Sequence, residues 1–404
     1  MSRKIPLGIA VAAAFIVAAL SVAITVSVCT DSYNQMIRDL PQRTQQYAVL
    51  SEIDELIRAH YYGETDSDEV LQELAAGYIQ GLNNDQCFYI QEDNLDAYES
   101  TVAGSIPGTG ITAVYDDATG CLSVRDVAEG SPAQEAGFAV NDQIYAVDHT
   151  AVTKGNAATL ITALLSSEKK TIAVGTVKTV DGKEERSSVT LKNGYTARSC
   201  TVKTVGSVGY IHFSEFYPNT RSLFDAAVDD FSANGIKSLI IDVRNNAGVN
   251  YENAAAVIDR IVPLAAEGTG AIATAKDPNG DTVKLFSSDS NQLNMSIAVL
   301  INDRTAGAAE LLACDLRDFG KAKLFGETTA GEGMYPELYE LESGGAVMLA
   351  VAKIYPYLSE PYDGVGVSPD TEIKMLDADK NKIPGDSFDG DAQFAAAYAF
   401  FTQK

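Results

Sequence analysis

The sequence predicts an α/β core with a mixed sheet and helices, preceded by a mainly-β domain, an N-terminal helical region and a single N-terminal transmembrane helix. Three observations lead to this fold class. A long apolar run opens the chain, short strand-like runs fill its middle, and strands alternate with helices in its second half. The predicted boundaries are 1–30 for the stub and anchor, 31–102, 103–195 and 196–380 for the three regions, and 381–404 for a C-terminal tail.

The opening segment predicts a membrane anchor. Arg3 and Lys4 precede an apolar run over residues 5–28, and these 24 residues are enough to cross roughly 30 Å of hydrocarbon as a helix. A cleaved signal peptide is the alternative, but the residues before Cys29 fit neither an A-x-A-like cleavage site nor a lipid-attachment box. The positive flank favours the cytoplasm, so the bulk of the chain is expected outside a bacterial cell membrane.

Composition and charge exclude several kinds of function. The chain has 404 residues and a net charge of −25, which repels phosphate backbones, so nucleic acid is not expected as a partner. The histidines, His60, His149 and His212, lie far apart in the sequence and form no HExxH pattern. The five cysteines form no CxxC pair. Neither a metal site nor a cofactor is therefore expected.

The region 31–102 is expected to be helical. Val49, Ile53 and Ile57 recur at helical spacing, and a second such series begins at Val70. The pattern is that of a small subdomain packing on its neighbour, and it indicates no chemistry.

The mainly-β region begins in a stretch rich in Gly, Ser and Pro. Turn signals then separate short apolar runs of β character, with one helical stretch at Asn156–Leu165. The predicted strands are Ile111–Tyr115, Leu122–Val127, Gln143–Val147, Thr171–Val177 and Ser188–Leu191.

The triplet Gly108-Thr109-Gly110 superficially matches a dinucleotide fingerprint, but a strand rather than a helix follows it. A glycine-bearing loop leading into a strand can instead point N–H groups at a carboxylate, while the strand edge accepts an extended peptide. Residues 130–144 follow the order GSPA-x-x-AG-x-x-x-x-D-x-I, which resembles the core of PDZ domains. The resemblance implies that the amides of Thr109, Gly110 and Ile111 bind a peptide's C-terminal carboxylate. Glycines that merely serve turns are the alternative.

The second half of the chain predicts an α/β domain with an at least partly parallel sheet, because strand and helix patterns alternate there. The predicted strands are Val208–Phe213, Ser238–Val243 and Ser296–Ile301, and the predicted helices are Thr220–Asn234, Asn253–Val262 and Ala308–Phe319.

Four motifs give this half a specific resemblance. They are D-x-R-x-N-x-G over 242–248, N-x-x-[ST]-A-x-A-x-E over 302–310, G-E-x-T-x-G-x-G over 326–333 and G-x-G-[IV]-x-P-D over 364–370. With the preceding regions, the chain resembles the C-terminal processing peptidases, or tail-specific proteases, which are PDZ-containing serine peptidases. The resemblance covers roughly residues 50–376.

The resemblance implies a serine nucleophile activated by an unprotonated lysine. The serine position is Gly307 and the lysine position is Glu332, separated by 25 positions as the family pattern requires. Neither side chain of the pair is therefore present. The glutamine that typically follows the lysine is also missing, and Pro336 takes its place. Thr305 is not expected to replace the nucleophile, because it lies two residues from the vacant position and the family normally has Ser or Thr there.

The resemblance further implies that the backbone N–H groups of Gly248 and Ala308 form the oxyanion hole. Backbone donors survive the loss of side chains, so this pocket is expected to accept a peptide carbonyl still. Val249 stands where the family usually has a second glycine, which puts the loop's backbone geometry in question.

Three hypotheses follow. The first is a pseudopeptidase that binds polypeptide C-termini or unstructured protein tails without cleaving them. The second is an active serine-type endopeptidase with a non-standard catalytic arrangement, and the third is an interaction protein whose PDZ-like unit binds no free carboxylate. Family members often associate through their helical parts, which leaves a homo-oligomer open.

Overall fold

The computed structural model describes residues 47–165, 169–180, 183–263, 271–289, 292–375, 384–385 and 387–402. The predicted anchor over 5–28 lies outside these ranges. Among the helices that are described, none combines the length and the apolar character needed to span a bilayer.

The described residues divide into two compact units, one ending at Glu73 and the other beginning at Leu74. In the first unit, residues 47–60 form helix α1 and helix α2 (Ser67–Gln80) begins. The prediction of helices is confirmed for residues 47–60 and Ser67–Gln80, and the predicted residues 31–46 lie outside the described ranges. The apolar side chains of Val49, Ile53 and Leu56 are exposed along α1.

The mainly-β domain is a sheet with strand order β3-β4-β5-β7-β8, with β6 paired to β5. Alternating strand residues and helix α5 enclose a separate apolar core that contains Ile111, Leu122, Val124 and Leu164. Strand β3 pairs only with β4 among the described strands, so it forms an edge of this sheet. The elements are β3 (Ile111–Asp116), β4 (Cys121–Val127), α4 (Pro132–Glu135), β5 (Gln143–Val147), β6 (Thr150–Ala151), α5 (Ala157–Leu165), β7 (Thr171–Val180) and β8 (Lys183–Lys192).

The α/β domain is built on a six-stranded sheet of order β10-β11-β12-β15-β16-β19. Strand β10 is antiparallel to β11 and the remaining pairs are parallel, which confirms the mixed sheet. All six residues of β11 are buried, as expected for a strand covered on both faces. The elements are β10 (Cys200–Val205), β11 (Val208–Phe213), α6 (Thr220–Ala233), β12 (Ser238–Asp242), α7 (Tyr251–Ile261), β15 (Ser296–Ile301), α8 (Gly307–Asp318), β16 (Ala322–Gly326) and β19 (Thr371–Glu372).

A second, antiparallel sheet of order β1-β18-β13-β14, with β17 paired to β18, packs on the same core. Strand β1 belongs to the region predicted as helical, yet it pairs with β18 in the register Phe88 to Met348. The elements are β1 (Phe88–Ile90), α3 (Glu92–Val102), β13 (Ala271–Lys276), β14 (Thr282–Ser287), β17 (Met334–Glu340) and β18 (Ala346–Tyr355), and a small ladder joins β2 (Ser105–Ile106) to β9 (Tyr195–Thr196).

The prediction of a C-terminal tail over 381–404 is wrong for its second half. Helix α9 (Ala392–Thr402) packs on the sheet opposite α6, α7 and α8, and Phe394 and Ala397 are buried in the core beneath it. The segment is rich in alanine and aromatic residues, and these side chains cover the sheet face formed by Tyr210, Ile240 and Leu300.

Candidate active site

Three of the four motif segments of the α/β domain meet in one cleft at the carboxyl ends of the parallel strands. The loop after β12 contributes Gly248, the start of α8 contributes Gly307, and the loop after β16 contributes Glu332. This is where ligand sites form in sheets of this type, because loops from neighbouring strands converge there. The cleft has a volume of about 790 Å³, and Pro336 also lines it.

Position 307 is occupied by a glycine in the left-handed region, with φ of 52°. A Cβ atom added there would lie 2.7 Å from the Gly248 carbonyl oxygen and 3.2 Å from that of Ala247. No side chain therefore fits at position 307 unless the loop moves. The phenol of Tyr362 donates to the Gly307 carbonyl at 3.1 Å and fixes the helix start from the core side.

The two amides expected to form the oxyanion hole are both occupied within the protein. The Gly248 N–H donates to Asn246 Oδ1 at 2.8 Å, and the Ala308 N–H donates to the Gly248 carbonyl at 2.9 Å. The expectation of two free donors is therefore not met in this conformation. Because Gly307 has no side chain, the Gly248 carbonyl occupies the space beside the helix start, where it accepts the Ala308 N–H.

Further contacts hold the loop in this position. The Asn246 amide group donates to the Phe213 carbonyl at 3.0 Å, and the Val249 N–H donates to Glu215 Oε1 at 3.1 Å. Gly248 packs so closely that an added Cβ would lie 2.1 Å from the Ala306 carbonyl oxygen. The loop is thus held at residues 246, 248 and 249.

Glu310 links positions 307 and 332, to which the resemblance assigns the catalytic serine and lysine. Its carboxylate accepts hydrogen bonds from the N–H groups of Gly307 at 3.1 Å, Gly331 at 2.8 Å and Glu332 at 2.7 Å, and from the Thr329 hydroxyl. Burial raises the pKa of Glu310, and these hydrogen bonds oppose that effect. No role was predicted for Glu310 from the sequence. Its place three residues after the serine position is the signal that could have identified it as a site residue.

The Glu332 side chain borders the cleft, where a lysine would be expected. Partial burial of its carboxyl group in the cleft raises the pKa of Glu332, and the negative charge of the nearby Asp85 raises it further. Beside it, the Tyr251 hydroxyl lies 3.3 Å from the Glu332 carbonyl and 3.2 Å from that of Met334.

The hydroxyls near the cleft make structural contacts. Thr305 is fully buried, and its hydroxyl donates to the Val243 carbonyl at 2.9 Å. Ser214 and Thr101 are the serine and threonine that line the described cleft. The Ser214 hydroxyl donates to the Ser199 carbonyl at 3.3 Å and that of Thr101 to the Ala97 carbonyl at 2.8 Å. Neither hydroxyl is paired with a carboxylate or a lysine in the described part of the chain.

The structure places the predicted carboxylate-binding residues at the start of the edge strand β3. Both the N–H and the hydroxyl of Thr109 contact the Leu164 carbonyl at the end of α5, at 2.8 and 3.1 Å. The Thr109 amide is therefore already engaged, which departs from its predicted role. Gly110 has φ of 83° and packs against Ser131. Ile111, the first residue of β3, is fully buried in the core of this domain.

The described residues include no group of three or more His, Cys, Asp or Glu side chains arranged to hold a metal ion.

Comparisons with known proteins agree with this architecture. The model of peptidase family S41 matches residues 207–373, and that of the PDZ domain matches residues 108–191. The carboxy-terminal processing protease CtpA of Bacillus subtilis is 26% identical over 84% of this chain and 73% of its own length. The chloroplastic C-terminal processing peptidase of Tetradesmus obliquus is 29% identical over 70% of this chain and 64% of its own.

Among solved structures, the photosystem II D1 C-terminal processing protease aligns over 80% of this chain and 86% of its own, with 24% identity and a TM-score of 0.48. The family match covers the four motifs around Gly248, Gly307 and Glu332, and the PDZ match precedes it in the order these peptidases have. The chain thus carries a peptidase family S41 domain over residues 207–373 preceded by a PDZ domain over residues 108–191, and it is similar to the C-terminal processing peptidases.

Proposed function

We propose that this protein is a membrane-anchored, extracytoplasmic member of the family that binds polypeptide C-termini without cleaving them. One observation carries the proposal: position 307 lacks a side chain, and the Gly248 carbonyl fills the adjoining space and takes up the Ala308 amide. Loss of the nucleophile from a hydrolytic unit lowers its rate on the order of a million-fold. Occupied oxyanion donors lower it further.

Features that serve binding support the other half of the proposal. The cleft keeps a volume of about 790 Å³, which is within the range of ligand sites. In the mainly-β domain, the edge strand β3 offers backbone groups to which an extended peptide can add as a further strand.

Membrane attachment is proposed on the apolar run over 5–28 and its flank of Arg3 and Lys4. An anchored binder would meet the tails of proteins that are exported across the same membrane or embedded in it.

The decisive experiment incubates the purified full-length chain, in neutral detergent, with an unstructured protein that carries a free C-terminal tail. We expect tail binding by fluorescence anisotropy and no cleavage products by mass spectrometry. Amidating the tail should weaken binding, because a carboxylate-binding site loses its charged ligand.

Two results would contradict the proposal. Cleavage that disappears in Glu332→Ala but persists in Glu342→Ala, an exposed residue outside the cleft, would show an active peptidase with a non-standard arrangement. Equal binding of free and amidated tails would favour an interaction protein that does not recognise the carboxylate.

A further inference from the structure

The charged residues that line the cleft are all acidic. They are Asp85, Glu99, Glu215, Glu252 and Glu332, and the described lining contains no Lys, Arg or His. A cleft with one sign of charge and low-dielectric walls focuses its field and attracts ligands of the opposite sign.

Two of these carboxylates are engaged in the fold. Glu252 forms an ion pair with Lys284 at 2.8 Å and accepts the Tyr335 hydroxyl at 2.9 Å. Glu215 accepts the N–H groups of Phe216 and Val249. Their charges are therefore balanced, or their lone pairs occupied, by the protein itself.

The other three carboxylates face the cleft without such balance. Asp85, Glu99 and Glu332 are exposed, and none of them forms an ion pair in the described part of the chain. Asp85 and Glu332 both line the cleft, and the Asp85 carboxylate helps to raise the pKa of Glu332 because the two negative charges repel each other. A cation seated near both would remove this repulsion.

The apolar part of the lining suits the stem of a long basic side chain. Phe88, Tyr98, Tyr217, Leu338 and Met348 border the same cleft. Lysine and arginine bury their methylene groups on apolar surfaces while the charged end reaches a polar group, and both cations are attracted to aromatic faces. The acidic and the apolar residues of the lining together match a long basic side chain, that of lysine or arginine.

We propose that the cleft at Gly307 selects polypeptide segments bearing lysine or arginine, with the basic side chain between Glu332 and Asp85. The inference rests on the proposed function, since it names the kind of tail that is bound. It also gives Glu332 a role: the carboxylate that replaces the expected lysine becomes the principal contact for the ligand's cation.

The test measures binding of short unstructured peptides to the full-length chain in neutral detergent by fluorescence anisotropy at low salt. The peptides share one C-terminus with a free carboxylate and differ upstream, where they carry Lys, Gln or Glu. We expect the Lys peptide to bind about tenfold more tightly than the Gln peptide, and the Glu peptide to bind most weakly, because several exposed ion pairs each add a small increment. The difference should shrink as salt is added.

The variant Asp85→Asn/Glu332→Gln should bring the Lys and Gln peptides to within about twofold of each other. The control Glu340→Gln/Glu342→Gln removes two exposed charges outside the cleft lining, so it should keep the preference. Equal binding of all peptides by the unmodified chain would overturn the inference and leave the proposed function standing. A preference that survives in the cleft variant would also overturn it, and absence of any binding would overturn the proposed function itself.

Discussion

The Gly248 carbonyl oxygen lies 2.7 Å from the point where a side chain at position 307 would begin. The same carbonyl accepts the Ala308 N–H, so one backbone group occupies both the nucleophile's space and an oxyanion donor. Catalysis by a serine placed at position 307 therefore requires that the loop over 246–249 move as well as that the side chains change.

We predict that Gly307→Ser/Glu332→Lys alone gives no proteolysis above background, because the new Cβ meets the Gly248 carbonyl. Adding Val249→Gly should allow that carbonyl to turn away, since glycine reaches backbone conformations closed to valine. Detectable cleavage of a tailed substrate is expected only in the triple variant, measured by mass spectrometry of the products.

Full activity in the double variant would contradict this account of the loop. The matched control carries Val249→Gly alone, which supplies loop freedom without a nucleophile and should remain inactive.

Glu310 leads to a prediction about stability. Its carboxylate accepts three backbone N–H groups and one hydroxyl, all from within the site. In Glu310→Gln, an amide NH₂ would face some of these donors, and unsatisfied buried donors are expected to cost about 2–3 kcal/mol. Urea unfolding should show this loss, whereas the exposed Glu342→Gln should stay within about 0.5 kcal/mol of the unmodified chain.

For individual residues, the sequence predicted which positions come together in the site. Motif spacing brought Gly248, Gly307 and Glu332 together, and all three line one cleft. It did not predict that the Gly248 and Ala308 amides are occupied, because a hydrogen-bond partner depends on the path a loop takes once a neighbouring side chain is gone. The hydrogen bond from Thr109 to the Leu164 carbonyl could not be predicted either, because the two residues are 55 positions apart and meet only through the fold.

Helix α8 carries a buried acid whose titration should be visible in the unfolding of the protein. Asp315 is fully buried; its Oδ1 accepts the Tyr357 N–H at 3.0 Å, and Oδ2 has no partner in the described structure. Burial, with a contribution from nearby Asp318, raises the pKa of Asp315 well above its ordinary range.

A raised pKa means that the folded chain holds a proton that the unfolded chain has released. Stability from this group is therefore fully present below the unfolded value of about 4 and falls as the pH rises towards the folded-state pKa. Asp315→Asn keeps the acceptor for Tyr357 and cannot ionise, so its stability should decline less over this window. Urea midpoints measured at increasing pH should diverge in favour of the variant; parallel curves would contradict the raised pKa, and the exposed Asp389→Asn serves as control.

Helix α9 is fastened to the strand end beside the cleft by one residue that has two roles. The Asp391 carboxylate accepts the Phe394 N–H at 2.9 Å as an N-cap and receives both terminal nitrogens of Arg244, at 3.1 and 2.8 Å. Arg244 itself is 1% exposed and also pairs with Asp242.

Asp391→Ala removes the cap and half of the neutralising charge, so we predict a loss of about 3 kcal/mol in the free energy of unfolding. Urea unfolding with Asp389→Ala as the exposed control checks this value. A change below about 0.5 kcal/mol would mean that α9 is held by its apolar contacts alone.

Elements with strong periodicity were predicted closely. The strand Ser296–Ile301 and the helix starting at Thr220 agree with the structure, and strand β4 begins one residue earlier than predicted. Strand β18 and helix α9 were missed, because their apolar residues are nearly continuous and favour neither period. Strand β1 was missed because its partner β18 lies far along the chain.

For the molecule as a whole, the predicted topology can be tested in cells. A reporter enzyme that is active only outside the cytoplasm, fused after Lys404, should be active when the apolar run over 5–28 is intact. Deleting that run should abolish the activity, because the positive flank then has no segment to hold it at the membrane. Activity of a cytoplasm-specific reporter in the intact fusion would contradict the proposed orientation.

The inward position of the Gly248 carbonyl also bears on how this lineage can change. A mutation that returned serine to position 307 would meet that carbonyl, and one that returned lysine to position 332 would find no alkoxide to generate. On the proposed function, neither single reversion gains activity by itself, so selection does not favour the first step back to hydrolysis. On that proposal, the loop acts as an evolutionary ratchet, because the first step back, a side chain at position 307, meets the Gly248 carbonyl before any activity is gained.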